Sequence, residues 1–586
     1  MGFAPMLARA GWRSAARTRA SSFRGGTWIL FWVAVFGLLV LPIALFLLVA
    51  FSPALFEQGP SWLTLEAFKS LLTPTFLPSV MDTLAVGVGA GALATVVGGA
   101  VAWAVQRTDV PLRPLWSGAM FTLLLAPSYL VALGWERLLE PNGVLDVLGV
   151  PDAGLRSIIY GPIGVTGVLA VKGLPFAYLA VSGALRGLGD EFTAAARVHG
   201  GGPWTATRIT GALLAPAVWS SFAIVFAESI SDFGVAATLA NDAKFPVATY
   251  TLYNAVQAFP VDFPVAAAVG WVLLAMAGLA VFAQNRALKG RSYRVLGGRS
   301  RRVRRVELGR WRRPAVASLL ALLVIASLGV PVFGALSASV ISGLGSLIGS
   351  HGFTLDNYSR VIASPQLHGP LLFSVGMGAA TATAVVTLGL VAARLLTGSA
   401  GNFSRRLLDL LLLTAVALPG IVFAAGYIFT YNLPLTDALG LHLYGTPTLL
   451  LLAYIATALP STTRLLVGTV GQVQHSLPQA ARVHGQGPLG AWISSELPLI
   501  ARPLISAWLL TFGGTLLELP VSELLYPPGQ PPVAVGITKA LSNYDFGGGT
   551  AMEVLAILLA LAVTGLLWGL WALFAPAGWR RLGATS

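Results

Sequence analysis

Long apolar runs recur along the chain, separated by short polar stretches, and this rhythm fixes the elements before any motif is considered. A membrane-spanning helix needs about 20 mostly apolar residues. Twelve stretches qualify, near 28–52, 79–105, 115–135, 158–180, 213–239, 264–285, 314–342, 369–393, 407–430, 446–468, 499–519 and 551–575. Glycine and proline interrupt the third, fourth and ninth, and membrane helices accept both residues. The pattern predicts an all-α polytopic membrane protein with about 12 transmembrane helices.

Composition excludes the alternatives. Charged residues are 10% of the 586 and apolar residues 56%, where a soluble domain carries about 25% charge. Disorder is excluded too, because disordered chains are poor in apolar residues. The absence of cysteine removes disulfides, thiolate metal sites and a cysteine nucleophile. The net charge of +14 would suggest nucleic acid in a soluble protein. Here 30 of the 37 Lys and Arg residues fall on one set of alternate loops. By the positive-inside rule that set is cytoplasmic, with both termini. Arg9, Arg13, Arg17, Arg19 and Arg24 precede an apolar run of about 25 residues, too long for a signal-peptide core. The reading is an uncleaved first span behind a basic cytoplasmic tail, 1–27.

The chain also repeats itself. Ala195-Ala196-Arg197-Val198-His199-Gly200 recurs as Ala480-Ala481-Arg482-Val483-His484-Gly485, an offset of 285. Other pairs keep nearly the same spacing: Thr64-Leu65-Glu66 with Thr354-Leu355-Asp356, Pro127 with Pro419, Pro175 with Pro460, and Phe226 with Phe512. Two parallel six-helix repeats follow, with a pathway expected between them. The first transmembrane half is 28–285 with a loop at 190–212, and the second is 314–578 with a loop at 475–498. Between them, 286–313 carries twelve basic residues and one acid, Glu307. It reads as a cytoplasmic tether, and anionic lipid could be drawn to the same charges.

Each repeated loop reads as two short helices around a glycine break. Ala194, Ala195 and Ala196 favour a helix, Gly200 ends it, and Pro203 can open the next. The second copy has Gln479, Ala480, Ala481, Gly485 and Pro488. This resembles the signature loop of ABC importer permeases, E-A-A-x-x-x-G followed after nine residues by I-x-L-P. Leu497-Pro498 falls at the required distance, although Gln479 replaces the glutamate and Ser495 the isoleucine. The first copy also lacks the glutamate, and Gly211-Ala212 stands in place of Leu-Pro. The resemblance implies a type I importer fold and a prokaryotic inner (plasma) membrane location. It implies that these loops couple to two copies of an ABC ATP-binding subunit, with ATP and Mg on that partner. It also implies a periplasmic or extracellular substrate-binding protein. No G-x-x-x-x-G-K-S/T loop occurs, so ATP hydrolysis is expected on a separate subunit. The chain is read as a transport subunit, with no cofactor of its own and no enzyme activity.

Phe226 to Gly234 and Glu523 to Gly529 look like segments of the fused ferric-iron permeases, which also carry two halves in one chain. Permeases for thiamine share that layout, and phosphonate and polyamine systems have related architectures. Ionisable groups inside spans suggest function, and these are Asp82, Lys172, Glu228, Asp232, Glu518 and Glu553. Glu228 and Asp232 share a helix face, and Asp232 corresponds to Glu518 at an offset of 286. Glu228, Asp232, Glu518 and Lys172 are the candidates for the translocation path; the acids either face a cation or bond helix ends and hydroxyls. Five carboxylates against one lysine favour a cationic substrate, and the resemblance to the ferric-iron permeases makes ferric iron the favoured one. His199, His351, His368, His442, His475 and His484 show no metal-ligand spacing, so no fixed metal site is expected. The rival class is an ion-coupled twelve-helix secondary carrier, in which the same acids would relay ions.

Overall fold

A computed structural model describes residues 29–189, 191–288, 305–344, 352–398, 402–474, 476–576 and 579. The basic tail, residues 289–304 of the tether, His351 and His475 lie outside them. Among the described residues the chain is helical, with two isolated β-bridges.

In the first half, α1 (Ile29–Val49) leads to α2 (Leu77–Arg107), α3 (Arg113–Leu125), α4 (Ser128–Leu139) and α5 (Pro162–Gly187). Then come α6 (Glu191–Val198), α7 (Pro203–Ser231), α8 (Ala248–Gln257) and α9 (Phe263–Leu288). The second half repeats the order with α10 (Gly309–Val340), α11 (Pro365–Thr397), α12 (Asn402–Ala417), α13 (Gly420–Tyr431) and α14 (Pro447–Val470). It closes with α15 (Ser476–Val483), α16 (Pro488–Leu516), α17 (Pro520–Leu525), α18 (Val533–Ser542) and α19 (Phe546–Phe574). Ten helices are long and apolar enough to cross a membrane among the described residues, and twelve spans result if each bent pair counts as one.

The bent pairs correct the expectation of continuous third and ninth spans. The chain turns by 100° between α3 and α4 and by 105° between α12 and α13. Pro127 and Pro419 stand at the two breaks, where a missing N–H and a ring clash end a helix. Carbonyls freed inside a bilayer need donors. At the first break Lys172 supplies them: its ammonium donates to Leu124 O at 2.9 Å and also to Ala126 O.

Beyond each break the helix crosses into the opposite half. There α4 packs on α10, and α13 packs on α1. Both first spans contain a five-residue π-helical turn, Phe36–Val40 and Ile325–Gly329, two residues ahead of Pro42 and Pro331. Pro42 cannot donate to Leu38 O, and the Tyr427 hydroxyl donates to that carbonyl from α13 at 3.0 Å. Close approach is allowed by glycine: a Cβ on Gly426 would lie 2.9 Å from Pro42 O, and one on Gly134 would overlap the Pro331 backbone. The two crossings are otherwise packed differently. Phe429 is surrounded by Phe46, Phe56 and Phe263, with ring centroids 5.1–6.2 Å away. The matching position on α4 is Arg137, held by Glu140 at 2.8 Å and lying 4.5 Å over the Phe546 ring. Glu136 is buried beside it.

Candidate functional site

The repeated loops form the two-helix device expected from their glycines. α6 ends at Gly200, whose φ is +75°, and the Gly201 N–H returns to Ala196 O at 2.7 Å. α15 ends at Gly485 with φ +87°, and the Gln486 N–H returns to Ala481 O at 3.2 Å. A left-handed residue after a helix is the usual stop, and glycine reaches it without steric cost. Pro203 and Pro488 open the outgoing helices α7 and α16. Ala194 and Ala196 lie in α6, and Gln479, Ala480 and Ala481 lie in α15. The loops differ at their exits. A π-helical turn, Trp492–Glu496, precedes Leu497-Pro498, while α7 runs straight through Gly211-Ala212. The cause is local, because Pro498 cannot donate to Ser494 O.

Both loops leave matching apolar side chains uncovered. Val198 and Val483 are 83% and 85% exposed, and Trp204 and Leu489 are 79% and 68% exposed. Each pair keeps the offset of 285. Arg107 fixes the base of the first loop by donating to Leu185 O at 2.9 Å and Leu188 O at 2.6 Å. In the second half Arg394 pairs with Glu496 and lies 5.1 Å over the Trp492 ring.

Asp232 and Glu518 occupy equivalent places, just after α7 and α16. Asp232 accepts the Val235 N–H at 2.7 Å and the Ser128 hydroxyl. Glu518 accepts the Val521 and Ser522 N–H groups at 2.8 and 3.0 Å. Each carboxylate thus caps the helical segment that follows and sits beside the break of the bent span, near Ser128 and Gly420 respectively. Glu228 is different, because its side chain is exposed. It lies on the α7 face with Ala217, Ser220, Ala227 and Ser231, opposite the face where Phe226 and Val225 pack on Gly87 and Gly173. The corresponding face of α16 carries Ser506, Gly513 and Gly514, and a Cβ on either glycine would meet open space. Lys172 lies within electrostatic reach of Glu228 and Asp232. Asp82 is half-buried on α2 and Glu553 is buried on α19.

Two groups escaped the sequence reading. Arg137 was counted with the loops and spans of the acid-rich side, yet its side chain is buried between the halves. Thr83 and Ser374 on α2 and α11 accept the first N–H groups of α8 and α18, Ala248 and Val533, each at 2.7 Å. Their offset of 291 was the available signal for the second. No cluster of three or more His, Asp or Glu side chains suited to a metal occurs among the described residues.

Comparison with known proteins agrees with this arrangement. Residues 385–575 match the family described as the binding-protein-dependent transport system inner membrane component. The ferric transport system permease protein FbpB of Actinobacillus pleuropneumoniae is 22% identical over 528 residues, covering 88% of this chain and 74% of that protein. The chain is thus similar, over most of its length, to the permeases of binding-protein-dependent ABC importers. A putative ferric transport system permease of Haemophilus influenzae is 23% identical over 78% of the permease and 72% of its own length. The sulfate transport system permease CysT of Escherichia coli is 25% identical, over 39% of the permease and 79% of its own length. As the multi-pass membrane component, the permease is not itself the catalyst of ATP hydrolysis.

Proposed function

We propose that this permease moves ferric iron from an external binding protein into the cytoplasm, driven by two copies of an ABC ATP-binding subunit. The observation that carries the coupling part is the duplicated loop. Each copy presents a glycine-stopped helix with an uncovered valine and a second apolar side chain four residues after the stop. Uncovered apolar groups at repeated positions suit burial in a partner groove. The basic face bearing these loops is then cytoplasmic, together with both termini.

The path is taken to run along the open faces of α7 and α16. A carboxylate turned to lipid would cost at least a few kcal/mol, so Glu228 and its small polar neighbours are better placed against a water-filled route. Lys172 steadies the bend of α3 while offsetting the charge of Glu228. The ferric assignment rests on the two relatives whose similarity extends over most of the chain, and the carboxylate excess agrees with a hard cation that prefers oxygen. Capture at high affinity belongs to the binding protein, because a tight site in the path would hinder release.

The test is co-expression with an ABC ATPase and a substrate-binding protein encoded by the same genome, followed by co-purification and radioactive uptake. Iron should accumulate in an ATP-dependent manner. Accumulation of sulfate, thiamine or a phosphonate without iron would remove the substrate. Transport persisting after loss of the ATPase would favour an ion-coupled carrier.

A further inference from the structure

The end of the segment joining the halves is fastened to the first half. Thr108 and Val306 form a parallel bridge. The Val306 N–H donates to Arg107 O at 2.8 Å, and the Asp109 N–H donates to Val306 O at 3.3 Å. The Leu308 N–H adds a bond to Asp109 Oδ1 at 3.0 Å. This short zipper brings residues of the joining segment and the start of α10 against the start of α3.

Arg113 at the start of α3, Arg305 beside the bridge and Arg313 in α10 are brought into one neighbourhood there. Arg313 Nε lies 3.9 Å from Asp109 Oδ2. Arg113 lies within electrostatic reach of Arg305, Arg313 and Asp109. Arg113 therefore feels two further guanidinium groups and one carboxylate, and one oxygen of that carboxylate is already engaged by a backbone N–H. Glu307 is exposed and is not among the charges acting on Arg113. Arg113 Nε is shielded from solvent without a hydrogen-bond partner. The N-termini of α3 and α10 add partial positive charge. Leu112, Leu115 and Trp311 stand exposed in the same two helix starts. A cationic cluster under-neutralised by protein, edged with bare apolar side chains at the end of two spans, matches an amphiphile with an anionic head.

We propose that Arg113, Arg305 and Arg313 hold the phosphate headgroup of an anionic phospholipid, with its acyl chains against Leu112, Leu115 and Trp311. Guanidinium groups bind phosphate through paired, charge-assisted hydrogen bonds. The lipid would lock the zipper in place, and Arg107 would carry that restraint to Leu185 and Leu188 at the base of the first coupling loop.

The test uses the purified full chain in nanodiscs of phosphatidylcholine with or without phosphatidylglycerol. Bound lipid is read by native mass spectrometry, and stability by thermal shift. The wild type should retain phosphatidylglycerol selectively. Replacing Arg113, Arg305 and Arg313 together with Gln should weaken retention about a hundred-fold, at roughly fivefold per basic residue. Replacing Arg299, Arg301 and Arg302 with Gln removes an equal charge from the joining segment alone and should cost far less retention than the triple variant. If the triple variant does not fold, Arg113→Gln and Arg305→Gln singly should each lose retention several-fold. Equal retention in wild type and variant overturns the proposal, and so does equal loss in the control. Displacement of the lipid by millimolar inorganic phosphate, with the same thermal shift, would make the ligand a soluble anion and overturn the lipid assignment.

Discussion

Gly485 tests how much of the second repeated loop, proposed to couple to the ATPase, depends on one backbone angle. A Cβ there would meet open space, so a substitution acts through φ alone. A left-handed L-residue costs about 1–2 kcal/mol, and asparagine bears that conformation better than β-branched residues. Gly485→Val should weaken ATPase association about tenfold with normal membrane insertion, and Gly485→Asn should recover most of it, as read by co-purification. Lys172 gives a second residue-scale outcome. Lys172→Met leaves the carbonyls at the α3 break without their donor, at about 1–3 kcal/mol for each unsatisfied group. A lowered melting temperature in detergent, partly restored by Lys172→Arg, is expected. The paired caps separate charge from structure. Asp232→Asn with Glu518→Gln keeps acceptors for the short helical segments and removes both charges. Iron uptake should slow while basal ATPase activity stays intact; unchanged uptake assigns the pair to capping alone.

At the scale of elements, the crossings of α4 over α10 and α13 over α1 depend on glycine against proline. Gly134→Ala should disrupt assembly more than Gly426→Ala, because its Cβ would overlap the Pro331 backbone while the other lies 2.9 Å from Pro42 O. Monodisperse yield after size exclusion measures this. The elements also show what the sequence could reveal. Spans were legible because each needs only a local apolar run. The repeat was legible because polar landmarks such as Pro127 and Pro419 kept their spacing. Both prolines were visible, yet the bends of 100° and 105° depend on partners distant in sequence, such as Lys172 beneath the α3 end. The burial of Arg137 was hidden for the same reason, since Phe546 lies in the other half. The glycine stops of the repeated loops were readable because a left-handed stop is a local property. The capping of Asp232 and Glu518 was one of two readings, since a carboxylate looks the same in sequence whether it faces a substrate or a helix end.

For the whole molecule, these crossings hold the halves together independently of the segment that joins them. Co-expressed pieces 1–298 and 309–586, which lack the zipper residues Val306 and Leu308, should therefore assemble into a complex that co-purifies. Failure to associate would show that the covalent join, rather than the crossings, maintains the pair. The matching π-helical turns carry a consequence about ancestry. Together with the repeated loops, a π-helical turn two residues before a proline in both first spans fits descent of both halves from one short chain that paired with its own copy. In such a homodimer every mutation occurs twice, so an arginine replacing phenylalanine would have placed a charge at both crossings. Fusion lifted that restriction. Arg137 on one side and Phe429 on the other are a divergence open only to a molecule whose two halves are inherited separately.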